Sequence, residues 1–343
     1  RYPQALVTSA DRYEIAARLG PDGSEWQPLD ETAARELLRA IGNSGAAALA
    51  ICLLHAPVSN RHETALRDLA AQVVPNLPVT LSSEVSGEIG EYERCSTATA
   101  NAFVQPLVQR YLDRLQARFA ALGIDARLDI MLSDGAFTTA SQAARFPIRL
   151  LESGPAGGVL SAVNCAQSHG ADPVLAFDMG GTTAKVCVAV AGQPEITHSF
   201  EFAREKRFKK GSGLPALTPS IDLIEIGAGG GSIARQSALG LLQVGPDSAG
   251  SEPGPACYGL GGSQATVTDA DLFLGHLDPD GFLGGAMRLS RAAAEKALAE
   301  AGAPVGLDAI GTARGIHDIV NENMAAAART HIAEKGLDAR SFT

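Results

Sequence analysis

Aromatic and basic residues are both scarce in this sequence. Phe, Trp and Tyr make up 5% of its 343 residues, with a single tryptophan. Lysine and arginine number 28 against 38 aspartates and glutamates, which gives a formal net charge of −10 at pH 7. An acidic chain has no excess of positive charge with which to hold nucleic acid or anionic lipid. The composition therefore argues against nucleic acid or membrane as the main partner.

Long hydrophobic runs and paired cysteines are missing too. The longest apolar run, Ala46–Leu54, is far shorter than the roughly 20 residues that a membrane-spanning helix needs. The five cysteines have no C-x-x-C spacing and the seven histidines no H-x-x-x-H motif, so a zinc site of local origin is not expected. Unpatterned cysteines fit a reducing compartment, and we expect a cytoplasmic protein.

The sequence does have the composition of a globular protein. Apolar residues make up 45% and charged residues 19%, and 343 residues can form two domains with a sizeable core. Strand-like and helical segments alternate along the chain, which predicts an α/β fold. Because the chain begins at Arg1 and shows no signal peptide, we expect a fragment of a longer protein.

Hydrophobic periodicity and capping residues predict several elements. Asp30 is the expected N-cap of the first helix, and Pro106 the expected kink of a long amphipathic helix. A strand-like run is expected to reach Glu152, before a helix that opens at Ser153. The other expected elements are a strand over 46–54, a helix over 60–74, the long helix over 96–122, a strand over 128–133, and helices over 290–302 and 307–336.

The most informative stretch is FDMGGTTAKV, residues 177–186, which lies between two runs typical of buried strands. A tight hairpin explains one or two glycines, but not the paired threonines or Asp178 at a strand end, where a carboxylate is partly desolvated. A phosphate-binding loop explains them together. Glycines let backbone N–H groups approach phosphate oxygens, hydroxyls donate, and the carboxylate holds Mg²⁺ directly or through water. An ordinary turn is the alternative.

Two common phosphate motifs do not fit this stretch. The chain has no G-x-x-x-x-G-K-[ST] P-loop, and strand-like residues follow the glycines where the dinucleotide fingerprint requires a helix. The strand–turn–strand pattern resembles the phosphate loops of actin, sugar kinases and heat-shock chaperone ATPases. The residues expected to bind ATP phosphate here are Gly180, Gly181, Thr182 and Thr183.

A second glycine-rich stretch, IDLIEIGAGGGSIA, covers residues 221–234. We predict a strand carrying Asp222 and Glu225 that runs into more glycines than one turn requires. Close approach of the backbone to a ligand is the economical explanation. The residues assigned to cofactor binding in this stretch are Gly227, Gly229, Gly230, Gly231 and Ser232.

A basic cluster runs from Arg204 to Lys210 in this acidic chain. It can be a solvated loop. It can also steer a phosphate or an acidic substrate, because the small residues Gly211–Gly213 that follow suit a segment that closes over a ligand. The sequence leaves both interpretations open.

Segments spread over nearly the whole chain carry a family resemblance. They are SSEVSGEIGEYERCSTATANAFVQPLVQRYLDRL, RFPIRLLESGPAGGVLSA, FDMGGTTAKV, RFKKGSGLP, IDLIEIGAGGGSIA, VGPDSAGSEPGPACYG and TVTDADLFLGHLDPDGFLGG. In this order they resemble the hydantoinase A/5-oxoprolinase family, which includes ATP-dependent N-methylhydantoinase subunits, 5-oxoprolinases and the ATP-binding subunits of acetone and acetophenone carboxylases. The resemblance implies an actin-like ATPase fold, as in sugar kinases and heat-shock chaperones, with ATP and Mg²⁺ as cofactors.

The resemblance also implies a domain division. Residues 1–95 would be a remnant of the N-terminal hydantoinase/oxoprolinase domain, 96–125 a connecting helix, and 126–343 a truncated hydantoinase A ATPase domain. Family chains begin with another Asp-x-Gly-Gly-Thr loop and carry a Gly-Gly-Ala-Gly-Pro stretch after the segment similar to 329–343. We therefore expect the fold to be incomplete at both ends and the fragment alone to be inactive.

The implied activity is ATP-dependent hydrolysis of a cyclic amide, of the hydantoin or 5-oxoproline type, through phosphorylation of a substrate oxygen. Asp178 would be the catalytic residue that organises Mg²⁺ or the attacking water, and Lys185 would offset the charge of the transferred phosphate. The alternatives are a carboxylase subunit acting on a ketone such as acetone or acetophenone, a sugar-kinase-like phosphotransferase, and a non-catalytic actin-like scaffold. The implied partner is a hydantoinase B-type subunit.

Overall fold

The structure is a computed structural model that describes residues 3–205 and 211–342, and it confirms a mixed α/β fold. The α-helices are α1 Glu31–Asn43, α2 Arg61–Val73, α3 Ser82–Val85, α4 Glu91–Ala121, α5 Ala140–Arg145, α6 Ser153–Ser168, α7 Val267–Leu274, α8 Arg291–Gly302 and α9 Ala309–Glu334. The strands are β1 Arg18–Leu19, β2 Glu25–Gln27, β3 Leu49–Ile51, β4 Val79–Leu81, β5 Asp129–Met131, β6 Phe137–Thr139, β7 Val174–Met179, β8 Ala184–Val190, β9 Gln193–Pro194, β10 Ile196–Phe202, β11 Leu214–Ile221, β12 Ile224–Ile226, β13 Ser232–Gln236 and β14 Leu242–Ser248.

Tertiary contacts divide the chain into two units, each formed by two separate segments. Unit 1 contains Arg1–Gly157 and Ile196–Ile221, and unit 2 contains Gly158–Glu195 and Asp222–Thr343. The chain therefore leaves unit 2 after Glu195 and returns to it at Asp222. The division at residues 95 and 125 remains a prediction from the family resemblance.

Unit 1 contains a parallel strand pair with its crossover helix. β3 and β4 pair in parallel, and α2 connects them. Leu38 of α1, Leu66 of α2 and Leu81 of β4 are buried in one hydrophobic cluster. Asp30 caps α1 as predicted, because its carboxylate accepts hydrogen bonds from two backbone N–H groups of the first turn.

The core of unit 2 lies between a small sheet and the helices α7, α8 and α9. The strands follow the order β12-β8-β7 with antiparallel pairing, and β9 adds to β8. Side chains alternate between the two faces of a strand, and Ala184 and Val186 of β8 are fully buried on the face toward the helices. α9 covers this face with residues spaced three or four apart, namely Ala313, Ile316, Val320, Met324 and Ala328.

Most of the predicted helices and the central hairpin are confirmed. α2, α8 and α9 lie within two residues of their predicted bounds, and residues 174–190 form the predicted strand–turn–strand. α4 begins at Glu91, five residues before its predicted start, and continues on both sides of Pro106 to Ala121.

Two strand predictions are wrong in extent or type. The apolar run over 46–54 is a strand only at Leu49–Ile51. The run before Glu152 is a 3₁₀ helix, Pro147–Leu150. A proline at its first position accounts for the difference, because the ring fixes φ at a helical value and removes the N–H that a strand ladder would use.

Lys335 connects the two points at which the chain leaves and re-enters unit 2. Its ammonium lies 2.6 Å from Asp222 Oδ2 and also pairs with the Glu195 carboxylate. Asp222 N–H donates to Glu195 C=O at 2.8 Å. Burial by itself lowers the pKa of Lys335, but hydrogen bonds to the two carboxylates outweigh it and raise the pKa above its ordinary value.

Two observations bear on the predicted compartment. Among the described residues, each helix is either too short or too polar to cross a lipid bilayer. The five cysteines, all within the described ranges, are free thiols.

Candidate functional site

The predicted phosphate loop is the turn between β7 and β8. The register of the two strands places Asp178 opposite Lys185 and Met179 opposite Ala184. Gly180 N–H donates to Thr183 C=O at 2.8 Å and closes the turn. The turn is therefore a tight connection between two paired strands, as the sequence predicts.

Lys185 has a carboxylate residue opposite it on each neighbouring strand. Its register partner on β7 is Asp178, and its partner on β12 is Glu225. Residues directly opposite each other on paired strands project from the same face, so the three side chains form a row of alternating charge next to the turn. Lys185 is half-buried; burial lowers its pKa, and the Glu225 carboxylate opposes that shift.

The second glycine-rich stretch packs directly against this turn. Gly230 N–H donates to Gly180 C=O at 3.1 Å, and Gly231 N–H donates to Gly181 C=O at 2.6 Å. The two stretches that the sequence singles out therefore contact each other within unit 2. The amides of Gly230 and Gly231 bond to the turn itself, so the second stretch supports the turn from inside the protein.

The backbone contact between the two stretches requires glycine. A Cβ on Gly229 would lie 2.7 Å from the Gly180 carbonyl oxygen, and one on Gly231 would lie 2.9 Å from that of Gly181. Gly229 N–H donates to Ser232 Oγ at 2.9 Å, and Ser232 is fully buried. The close approach that the glycines permit is thus to the hairpin turn.

The structure does not require glycine at the two glycine positions of the turn itself. A Cβ on Gly181 would meet no atom within 4 Å, and one on Gly180 would meet only Thr183 C=O, at 3.4 Å. Neither glycine has φ in the left-handed region. In the part of the chain that the structure describes, the N–H groups of Gly181, Thr182 and Thr183 donate no hydrogen bond to the protein. The turn therefore has an open surface with unused donors.

Asp178 is more exposed than the sequence suggests. We expected a partly desolvated carboxylate, but the side chain is exposed at the end of the edge strand β7. Within residues 3–205 and 211–342 its carboxylate makes no hydrogen bond or ion pair. A carboxylate and two hydroxyls are hard oxygen ligands that suit Mg²⁺, and the adjacent N–H groups suit phosphate. The residues present therefore fit a magnesium–nucleotide ligand.

α7 contributes a contact that the sequence analysis missed. Thr268 N–H and Thr268 Oγ1 both donate to Gly230 C=O at 2.8 Å. α7 begins with a capping box, in which Thr266 Oγ1 accepts from Asp269 N–H and the Asp269 carboxylate accepts from Thr266 N–H. The T-x-x-D pattern of residues 266–269 is its sequence signal.

The sequence also predicts contributions to the site from Asp222 and from the basic cluster. Asp222, predicted on a strand that faces a ligand, lies between β11 and β12, where Lys335 holds it in an ion pair. Lys206–Lys210 of the basic cluster lie outside the described residues. Arg204, at the start of the cluster, pairs with Glu201 at 3.3 Å.

The chain is similar to known proteins along nearly its whole length. The Hydantoinase/oxoprolinase family model matches residues 94–343, and the model of the hydantoinase/oxoprolinase N-terminal region matches residues 2–74. The caprolactamase subunit alpha of Pseudomonas jessenii is 35% identical over 99% of this chain and 48% of its own length. The acetophenone carboxylase gamma subunit of Aromatoleum aromaticum is 35% identical over 96% of this chain and 44% of its own length.

A solved structure is similar as well. The crystal structure of the ATP-dependent caprolactamase from Pseudomonas jessenii superposes with a TM-score of 0.79 at 34% identity, over 99% of this chain and 48% of that chain. The chain thus spans about half the length of the curated relatives it matches. Both of the curated relatives named above are described as subunits.

Proposed function

Because the chain belongs to the hydantoinase/oxoprolinase family, we propose that the protein hydrolyses a cyclic amide, using ATP to phosphorylate a substrate oxygen. The proposed substrate is a ring of the hydantoin or 5-oxoproline type. The caprolactamase relative supports this class, since caprolactam is itself a cyclic amide. The caprolactamase structure, described as ATP-dependent, supports ATP as the second substrate.

The turn Gly180–Thr183 carries the ATP assignment. Its glycines are not needed for backbone conformation or for packing, and three consecutive N–H groups point to no partner in the described part of the chain. Unused backbone donors around an open surface are what a phosphate group binds. A turn that served only to reverse the chain would not need glycine at both positions.

In the proposed reaction, the amide oxygen of the substrate attacks the γ-phosphorus of ATP, and the bond to the bridging oxygen breaks to release ADP. Water adds to the activated carbon, the ring C–N bond breaks, and the amine nitrogen takes up a proton. A second water hydrolyses the resulting acyl phosphate to a carboxylate and inorganic phosphate. Phosphorylation makes this possible because it makes the amide carbon electrophilic enough for water to add, and phosphate is then displaced in the last step.

The residues of this chain have distinct proposed roles. The N–H groups and hydroxyls of Gly180–Thr183 hold the transferred phosphate, and Lys185 offsets its charge. Asp178 holds Mg²⁺ or orients the attacking water; the ion, when bound, would neutralise phosphate charge. The supporting stretch fixes the turn beneath the phosphate and consists of Gly227, Gly229, Gly230, Gly231 and Ser232.

The proposed fold is actin-like. Its support is the antiparallel group β7, β8 and β12 with the phosphate turn between the first two strands, packed on helices. We also propose a hydantoinase B-type partner subunit, since both curated relatives named above are subunits, and a cytoplasmic location, since the five thiols are free.

A second candidate activity has equal support from sequence identity. The acetophenone carboxylase subunit is as similar to this chain as the caprolactamase subunit, at 35%. In that case the phosphorylated oxygen would be the enolate oxygen of a ketone, and carboxylation would replace hydrolysis. ATP turnover that depends on a lactam or hydantoin favours the first candidate, and turnover that depends on a ketone with bicarbonate favours the second.

The test of the ATP assignment compares two glycine substitutions in the intact protein with its partner subunit. A Cβ at Gly181 or at Gly87 meets no atom within 4 Å, and neither residue has a positive φ. Both Gly181→Ala and Gly87→Ala should therefore fold and melt like the wild type. Substrate-dependent ADP release should fall about 10-fold or more in Gly181→Ala, because the methyl group occupies the phosphate position. Equal ADP release in the two variants would contradict the assignment.

A further inference from the structure

We propose that Asp271, His276 and His317 form a binding site for a divalent transition-metal ion of the zinc type. One ligand atom from each of the three side chains lies within 4.8 Å of the others. None of the three belongs to the phosphate turn or to the stretch that supports it. The proposal is therefore independent of the nucleotide assignment.

The C-terminus of α7 positions two of the three ligands. His276 N–H donates to Asp271 C=O at 2.8 Å, and Gly275 N–H donates to Leu272 C=O at 3.2 Å. Together with Gly275 at φ 87°, these bonds form a Schellman motif, which turns the chain back over the last turn of the helix. The motif brings His276 Nδ1 to 3.5 Å from Asp271 Oδ1.

The third ligand comes from α9, which packs against α7 in the core of unit 2. The His317 ring centroid lies 5.0 Å from that of His276, with the planes inclined by 55°. Ala270 and Ile316, the neighbours of Asp271 and His317 in sequence, are both fully buried. Core packing therefore fixes the backbone on both sides of the cluster before any ion arrives.

The spacing of the ligand atoms suits a small tetrahedral ion. With zinc bonds of about 2.0–2.1 Å, two ligands of a tetrahedral site lie roughly 3.4 Å apart. The 3.5 Å between His276 Nδ1 and Asp271 Oδ1 is close to that value. The His276 side chain is 51% exposed and that of His317 34%, so rotation of the rings can close the remaining gaps. The same exposure lets an ion enter and water complete the coordination.

The donor set favours a transition metal over Mg²⁺ or Ca²⁺. Two imidazole nitrogens and one carboxylate oxygen suit zinc and its first-row neighbours, whereas Mg²⁺ and Ca²⁺ prefer oxygen ligands. Polar neighbours are also in place to orient His317. Asp318 Oδ1 lies 3.5 Å from Nδ1 of the ring and would accept its N–H when Nε2 binds the ion. Asn321 Nδ2 lies 3.2 Å from Nδ1 and 3.1 Å from Nε2, and the ion would displace it from Nε2. Once the ion is bound, such an outer carboxylate holds the ligating imidazole in its orientation.

Without a metal, the same groups would be a carboxylate–imidazole pair beside a second imidazole at the protein surface. The two explanations can be distinguished by measurement. Only the metal site predicts stoichiometric binding of a metal ion that requires all three side chains. Metal binding also requires neutral imidazoles, so the affinity should fall when the pH is lowered from 7.5 to about 5.5.

The experiment is calorimetric titration of the untagged intact protein with Zn²⁺ in a non-chelating buffer. We expect one equivalent of Zn²⁺ per chain in the wild type and in His198→Ala, which removes an exposed histidine of unit 1. The dissociation constant should rise about 10-fold or more in His276→Ala, His317→Ala and Asp271→Asn. Loading with Co²⁺ should give visible bands of nitrogen and oxygen ligation without a thiolate charge-transfer band.

Several results would overturn the proposal. They are the absence of stoichiometric binding in the wild type, equal Zn²⁺ affinity in the wild type and the three ligand variants, and a thiolate band in the Co²⁺ spectrum. Circular dichroism of each variant checks its folding. If His317→Ala does not fold, the exposed His276 decides, because its replacement removes no core contact.

Discussion

Asp178 and Lys185 lie directly opposite each other on β7 and β8, one residue pair away from the turn that we propose binds phosphate. Lys185 also faces Glu225 on its other side. Lys185 thus has an acidic residue opposite it on each neighbouring strand, and the Glu225 carboxylate is the one that acts on its charge. In the proposed site, a phosphate at the turn would compete with Glu225 for the charge of Lys185.

Replacing Asp178 by alanine is expected to abolish ATP turnover without unfolding the protein. The carboxylate is exposed and has no hydrogen-bond partner within residues 3–205 and 211–342, so the free energy of unfolding should change by less than about 0.5 kcal/mol. The measurements are ADP release by the intact protein and urea denaturation. Asp125→Ala, at another exposed aspartate, is the control and should keep full turnover. Normal ADP release by Asp178→Ala would remove the metal or water role.

A methyl group at Gly229 is expected to destabilise the protein, whereas one at Gly181 is not. The Cβ at Gly229 would lie 2.7 Å from a backbone carbonyl oxygen of the turn, and backbone cannot move aside as a side chain can. The free energy of unfolding should fall by about 1–3 kcal/mol in Gly229→Ala, as for other overpacked sites. Urea denaturation of both variants is the measurement. Similar stability of the two would show that the supporting stretch does not hold the turn tightly.

The Lys335 ion pairs should stabilise unit 2 up to alkaline pH. The folded pKa of Lys335 is raised above the ordinary 10.5. The stabilisation is therefore fully present below pH 10.5 and is lost as the pH rises through the higher folded pKa. Lys335→Met should lower the free energy of unfolding by about 1 kcal/mol at pH 7 and pH 9, and the difference from the wild type should shrink at pH 11 and above.

The measurement is urea denaturation of Lys335→Met and wild type at the three pH values. Lys296→Met is the control, because Lys296 is exposed and its Glu300 partner is 3.9 Å away. A difference between Lys335→Met and wild type that did not decrease above pH 10.5 would contradict a charge-based role for Lys335.

Features that depend on neighbouring residues could be predicted from the sequence. The hairpin over 174–190 follows from two apolar runs around glycines, and the Asp30 cap follows from the residues after it. The hydrogen-bond acceptors of the Gly230 and Gly231 N–H groups could not be predicted, because these acceptors lie about 50 positions earlier in the chain. Asp222 was misplaced for the same reason, since its partner Lys335 is remote in sequence.

The proposed metal cluster shows the same limit. The chain has no local histidine motif, and the sequence accordingly predicts no zinc site built from neighbouring positions. His317 reaches Asp271 and His276 only because α9 packs against α7. Periodicity predicts that α9 is a helix with one apolar face, but the neighbour of that face is a property of the tertiary structure.

The strand pair β10–β11 has a consequence for how this protein can change over evolution. Ile196, the first residue of β10, is the register partner of Ile221, the last residue of β11. The adjoining residues Glu195 and Asp222 are hydrogen-bonded to each other. Since these ends are already held together, the length of the excursion between them adds little to the loop-closure entropy of unit 2. Changes in the length of the connection between β10 and β11 should therefore leave the β7–β8 hairpin of unit 2 in register. The strands themselves are fixed parts of unit 1, since Ala216 is buried with Ile148 and Leu217 N–H donates to Thr97 Oγ1. Differences in length between relatives, or an inserted reporter, therefore belong in the connection between the two strands.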